Sequence, residues 1–421
     1  MRTTFAAAVA ALALTTVISA CGPMPPPSSS PVWQSTARNV AATPAAPYTA
    51  TTANWWVVVR IDPTNGLAVG VDIYRRSGVN GEPAATPTQS IAASGGVVKA
   101  VAMTDRVIGV ASSLFGQVTV GLLRYDDVVA QWVPTTAFVP SDPAVRGTPN
   151  SRVTLSVTDT AVALGLGDAS PGAADGRVVV QRITATPTSL TTGTAQVIGP
   201  DPAWTSEERA GFGQAVSLEG GTLAVSDGRS HVVLYRAEPA TVPFAVDATL
   251  TPTTPPSSSR RFGTSLSVDT STGAPRVLVG SNGDAGVLTG TPYPGSAVVW
   301  TRASGAWTVE ADLPAPTTGF AAATWGGLVS LDGARAAVGF DLAAPSGAPA
   351  DFRVTVWALT GAPTPEATLS AGSALTVPAG ATQLGLTGLQ LAGSHLSTVA
   401  IASGPSGTTS AAVSWDRIPP A

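Results

Sequence analysis

RFGTSLSVD (261–269), PRVLVGSNGDAG (275–286), GSAVVWTRASG (295–305) and AWTVEADLPAP (306–316) follow one another almost without a gap. Each piece is rich in β-branched and aromatic residues and bounded by Gly, Pro, Ser or Asp, as short strands between turns are. Residues 261–316 therefore read as four strands folded into one small antiparallel sheet. Such a sheet cannot bury both faces alone, so it needs neighbours of its own kind.

The rest of the chain supplies them. The second strand, ending VLVGS (277–281), has counterparts in RVIGVAS (106–112), AVALGLGD (161–168), TLAVSD (222–227), RAAVGF (335–340) and STVAIAS (397–403). The third strand recurs as DIYRR (72–76), VGLLRY (120–125), RVVVQR (177–182), HVVLYR (231–236), AVVWTR (297–302), RVTVWA (353–358) and AVSWDR (412–417). A spacing of roughly 50–60 residues suits a four-stranded propeller blade. The expected fold is thus all-β, a β-propeller of about seven four-stranded blades over residues 47–421, with six or eight left open by an irregular first unit.

The ends bear on closure. The last unit stops just after its third strand, while VWQSTARNVAAT (32–43) resembles the fourth strands WVPTTAFVP (132–140) and WTVEADLPAP (307–316). The N-terminal segment is therefore expected to complete the last blade, leaving only short sheet edges. Apolar runs in the strands predict burial on both faces, and Tyr74, Tyr235, Trp300, Trp357 and Trp415 are expected to pack between blades. The arginines that follow, Arg75, Arg236, Arg302 and Arg417, read as solvated strand-end charges.

GFGQAVSLEGGTLAVSD (211–227) and RFGTSLSVDTSTGAPRVLVGS (261–281) both open on Phe-Gly, with WGGLVSLDGARAAVGF (325–340) a degenerate copy. Gly-Asp loops then lead into the third strand at 167–168 and 283–284. The pattern resembles the FG-GAP, integrin-α-type propeller repeat. That resemblance implies calcium held by carboxylate-rich loops, yet the matching loops offer only Asp168 with Asp175, and Asp284. Calcium takes six to eight oxygens, so these are weak candidates, and no cofactor is expected.

The first 31 residues read as an address. Arg2, an apolar run from Phe5 to Ile18 and the junction Ile18-Ser19-Ala20-Cys21 resemble a lipoprotein signal peptide (1–20) followed by a lipidated cysteine. Cys21 is the one cysteine in the chain, and GPMPPPSSSP (22–31) would act as a tether. The expectation is an exported monomer, lipid-anchored to the bacterial envelope, in the outer membrane if the organism is Gram-negative.

Chemistry is scarce. The net charge of −4 offers no basic face for nucleic acid. There are two histidines, His231 and His395, and no G-x-S-x-G turn or Gly-rich phosphate loop. The expected function is a non-enzymatic surface or periplasmic lipoprotein that binds a protein or glycan through its loops. Two alternatives stand beside it: a propeller hydrolase or lyase acting on an envelope or extracellular glycan, and an envelope-assembly scaffold. The hydrolase would need convergent acids, for which Asp105, Asp227, Asp269 and Asp332 are the candidates.

Overall fold

The computed structural model describes residues 32–41, 48–62, 67–77, 83–93, 96–114, 117–138, 152–168, 174–239, 242–252, 261–282, 295–315, 325–342, 351–370, 383–404 and 407–418. Cys21, the tether and Asp284 lie outside them.

The described strands form seven four-stranded antiparallel sheets, each a blade of one β-propeller. Blades 1 to 6 each use four consecutive strands, over residues 49–92, 97–138, 152–198, 215–250, 261–313 and 328–370. The seventh takes Gln383–Ala392, His395–Gly404 and Gly407–Ile418, and its outer strand is the N-terminal Val32–Ala41. Val32 faces Ile418 and the register continues to Ala41 opposite Ser410. The expected closure is therefore the observed one.

Burial follows the sequence pattern. The second strands Ala161–Gly167 and Thr222–Ser226 are buried at every residue, because each lies inside a sheet that neighbouring blades cover on both sides. The apolar clusters accordingly bridge blades: one joins Leu278 and Val299 of blade 5 to Val338 and Trp357 of blade 6. Trp415 packs with Val354 and Val356 of the preceding blade, and Tyr235 with Val178 and Val180. Fully burying side chains of this size contributes roughly 1.5–3 kcal/mol each.

The strand-end arginines depart from expectation. Arg302 holds Asp247 of the preceding blade through two nitrogens at 2.9 and 3.1 Å, and Arg417 pairs with Glu366. Arg75 lies over the Trp55 ring. The two ion pairs are inter-blade contacts, because the third strand ends where the neighbouring outer strand passes, whereas Arg75 and Trp55 face each other within one blade.

Antiparallel order sorts the connections. Blade-to-blade links and second-to-third links fall on one face, here the loop face. The tight first-to-second turns fall on the other, the turn face. Among the described residues one helix, Ser206–Gly211, interrupts the all-β pattern on the loop face between blades 3 and 4. Its Thr205 cap accepts from Glu208 N while the Glu208 carboxylate accepts from Thr205 N, a reciprocal box written in the sequence as T-S-E-E.

Candidate active site

The inner strands of all seven blades line a central channel. Toward the turn face it opens into a cavity of about 760 Å³ bordered by Asp159, Glu219 and Asp332. Toward the loop face is a second cavity of about 380 Å³ lined by Tyr48, Arg152, Arg261, Thr264 and Asn282. A third cavity, between blades 1 and 2, has no titratable group in its wall and offers no chemistry.

The four acids expected to converge do not. Asp105 accepts from Asn54 Nδ2 at 2.8 Å and from the Thr52 hydroxyl of blade 1. Asp332 accepts from Gly393 N of blade 7. Asp269 caps its own turn through Ser271 N and Oγ at 3.0 and 2.6 Å. All three sit at first-to-second turns, where they fasten hairpins. Asp227 lies on the opposite face.

There a site is built. Asp227, fully buried, ends the second strand of blade 4, and its Oδ1 accepts from the backbone N–H groups of Arg229, Ser230 and His231 at 2.8, 2.9 and 3.0 Å. This fixes Oδ2, which lies 3.1 Å from His231 Nδ1. The imidazole stacks on Trp204, centroids 4.2 Å apart and 12° from parallel. Glu208 Oε1 stands 3.7 Å from the same nitrogen. Three bonds hold the carboxylate, one holds the ring, and the indole sets its plane. His231 Nε2 has no hydrogen-bond partner among the described residues, and the side chain keeps 22% of its surface exposed.

Electrostatics follow from this geometry. The Asp227 hydrogen bond raises the His231 pKa above its ordinary value; partial burial opposes this, and the charges of Asp227 and Glu208 add to it. For Glu208, desolvation pushes upward but the Thr205 bonds and His231 outweigh it, so its carboxyl titrates below the usual range. The donor atoms of Glu208, Asp227 and His231 lie within 4.8 Å of one another, a set able to take a divalent cation.

The second histidine provides a contrast. His395 Nδ1 lies 2.7 Å from Asp416 Oδ1, but that carboxylate is buried and also receives Arg76 Nη1 at 2.8 Å. This pair is sealed in the junction of blades 7 and 1. Of the two His–Asp pairs, only the one at His231 faces solvent.

The calcium candidates are placed apart from this cluster. Asp175 accepts from Arg209 Nε at 3.0 Å and lies 3.8 Å from Arg177. Asp168 is buried, its backbone N–H bonded to Ala210 O at 2.8 Å. Neither joins the three-group cluster. In the sequence His231 opens the third-strand run HVVLYR (231–236) and Asp227 stands among four candidate acids, with nothing in the repeat to join the two. The signal available was their spacing of four around Gly228 in S-D-G-R-S-H (226–231).

No protein-family model matches the sequence, and no curated protein sequence does. Among solved structures the chain is similar to the periplasmic gluconolactonase of Pseudomonas aeruginosa, with 15% identity, 84% of this chain and 94% of that one covered, and a TM-score of 0.50. It also aligns with a candidate 6-phosphogluconolactonase of Bacteroides fragilis at 12% identity, covering 84% and 91% of the two chains, TM-score 0.49. Sqt1 of Saccharomyces cerevisiae aligns at 10% identity over 93% and 99%, TM-score 0.44. The sheets define the class, a seven-bladed propeller, the gluconolactonase shares its fold, and two expectations are corrected. The FG-GAP, integrin-type assignment falls, since no family model matches and the similar propeller is of lactonase type. The non-enzymatic expectation falls with it, because the shared fold is one on which an enzyme is built.

Proposed function

We propose that this chain is an exported propeller hydrolase in which His231, oriented by Asp227, is the general base acting on an ester or lactone of a sugar acid. The observation that supports this is the solvent-facing Asp227–His231 pair, with Nδ1 engaged and Nε2 left to water. The gluconolactonase likeness supports the substrate class. In the step envisaged, Nε2 takes a proton from water as its oxygen bonds to the acyl carbon. The ring C–O bond then breaks and the proton passes to the departing alkoxide, so lactone plus water becomes hydroxy acid. Trp204 and Glu208 fix the ring plane and stabilise the imidazolium formed on the way.

General-base catalysis contributes typically 10²–10⁴-fold. Wild type, His231→Asn and Asp227→Asn would be assayed on glucono-δ-lactone and p-nitrophenyl acetate. Expected is hydrolysis above background that falls by about 10²–10³ in both variants. Since the base works unprotonated and its pKa is raised, the rate should climb through a limb above the ordinary histidine value. No hydrolysis by wild type, or equal rates in all three proteins, would defeat the reading.

Export and anchoring belong to the same proposal: Met1–Ala20 as the signal and Cys21 as the lipidated residue. Radiolabelled palmitate should enter the protein in cells and fail to enter Cys21→Ser.

A further inference from the structure

The loop-face end of the channel has a chemical character that the sequence does not advertise in an acidic chain. Arg152 and Arg261 begin the inner strands of blades 3 and 5 and line the same cavity of about 380 Å³. No carboxylate is in its described lining. Elsewhere Arg76, Arg276, Arg302 and Arg417 each pair with an acid. Neither Arg152 nor Arg261 has an acidic partner among the described residues, and both are exposed to the channel.

The wall around them completes a donor set. Tyr48 lines the cavity, and burial raises its pKa, so the phenol keeps its proton and can donate. Thr387 Oγ1, on another wall residue, is a buried hydroxyl without a partner among the described residues and can donate as well. Arg152 is crowded yet reachable. Desolvation by the wall lowers its pKa first, Tyr48 acts the other way, and the like charge of Arg261 adds to the fall. Two guanidinium groups lining one cavity, with no counter-charge among the described residues, are stabilised by an anion placed between them.

We infer that the loop-face mouth of the channel is a binding site for a small oxyanion, carried as a carboxylate or a phosphate group on a sugar-sized ligand, with Arg152 and Arg261 as its clamp. The cavity's volume falls at the small end of those that take such ligands. The opposite mouth, bordered by Asp159, Glu219 and Asp332, repels the same charge. The site stands on the channel and does not depend on His231 being a base. The two are nonetheless neighbours: Phe262 N, next to Arg261, donates to Arg229 O in the Asp227–His231 loop at 3.0 Å.

Titration calorimetry on the full chain, at low salt, would use inorganic phosphate, glucuronate and, as the uncharged control, glucose. Expected is binding of at least one of the anions, at least about tenfold tighter than glucose. It should weaken as salt rises. Whether phosphate or glucuronate binds identifies the group recognised, and either supports the site. Arg152→Gln with Arg261→Gln should lose at least about tenfold in affinity, while His231→Asn binds as wild type. Because both arginines are exposed, an unchanged melting temperature is expected of the double variant. Absence of anion binding, equal binding of glucose and glucuronate, or an unaffected double variant would overturn the inference. A protein that binds the anion but hydrolyses nothing would keep this site and remove only the His231 mechanism.

Discussion

Gly213, Gly263 and Gly326 occupy one position in three consecutive blades, each with positive φ (+89°, +74° and +80°). Each follows a buried aromatic: Phe212, Phe262 or Trp325. A Cβ on Gly326 would stand 2.1 Å from Ser296 O and 2.9 Å from Ser281 N, both backbone of the preceding blade. The Phe-Gly pair is therefore a docking device, an aromatic wedge followed by a bare Cα. Gly326→Ala is expected to cost about 3 kcal/mol or more in chemical denaturation, combining backbone strain with a backbone clash. Gly361→Ala, at φ +91° with nothing within 4 Å, isolates the strain and should cost only about 1–2 kcal/mol. Equal costs would remove the clash from the account. The recurrence was readable in the sequence; its cause was not, since nothing in Phe-Gly itself says which backbone it meets. Steric need can repeat a dipeptide without common descent from the integrin-type repeat.

Glu219 offers a second test at this scale. Burial, then the charges of Asp269 and Asp332, push its carboxyl up to about 7, against its Thr270 bonds. With the folded pKa raised, the native state binds the extra proton. Its stabilising contribution is full below about pH 4.5 and is lost as pH rises through about 7. Glu219→Gln should thus raise stability at pH 8 by on the order of 1–3 kcal/mol and leave it almost unchanged near pH 4. Urea midpoints at the two pH values decide it, and a gain that does not depend on pH would refute the assignment.

Among elements, the inner strands are tied edge to edge by side chains at one repeat position. Ser156 Oγ accepts from Leu218 N at 2.9 Å, Ser217 from Val268 N at 2.9 Å, Ser267 from Leu331 N at 2.9 Å and Ser330 from Leu391 N at 2.8 Å. Gln390 continues the series, its Oε1 accepting from Thr51 N at 2.8 Å. Inner strands of a propeller splay from the axis and cannot pair as a sheet, so their inward N–H groups need another acceptor. The alternation Val-Ser-Leu or Leu-Ser-Val at 155–157, 216–218, 266–268 and 329–331 encodes this. Ser267→Ala should cost about 1–3 kcal/mol and Ser267→Thr less, because the acceptor survives. Faster amide exchange at Leu331 in the Ala variant would localise the loss. No change there would place the bond elsewhere. Strands and their order were legible because hydrophobic runs and turn residues are local signals. The helix at 206–211 and the His231 site were not, because both depend on a link between blades whose length and composition obey no repeat.

At the scale of the ring, one buried cluster joins the last blade to the first. Arg76 reaches Asp416 at 2.8 Å, Ser414 at 2.9 Å and Thr51 at 2.9 Å, and His395 shares the same carboxylate oxygen. Removing one partner leaves the other charge buried, which typically costs 3–5 kcal/mol. Arg76→Met is expected to lose about that much in chemical denaturation, and Arg76→Met with Asp416→Asn to recover a substantial part. A single variant as stable as wild type would mean that the cluster does not hold the ring. The sequence pointed to closure through residues 32–43 from their likeness to fourth strands, but the pair behind it is 340 residues apart and leaves no local trace.

That closure also imposes an order in time. Blades 1 to 6 are each contiguous in the chain, so each can assemble from local contacts as it is made. The seventh cannot, because Val32–Ala41 has no partner until Gly407–Ile418 exists. Until then the first strand is an unpaired ribbon, and the growing stack of blades presents an open edge at either end. The ring therefore closes only once Gly407–Ile418 has been made, and a chain released or cut short of that strand keeps two edges ready to pair with another copy.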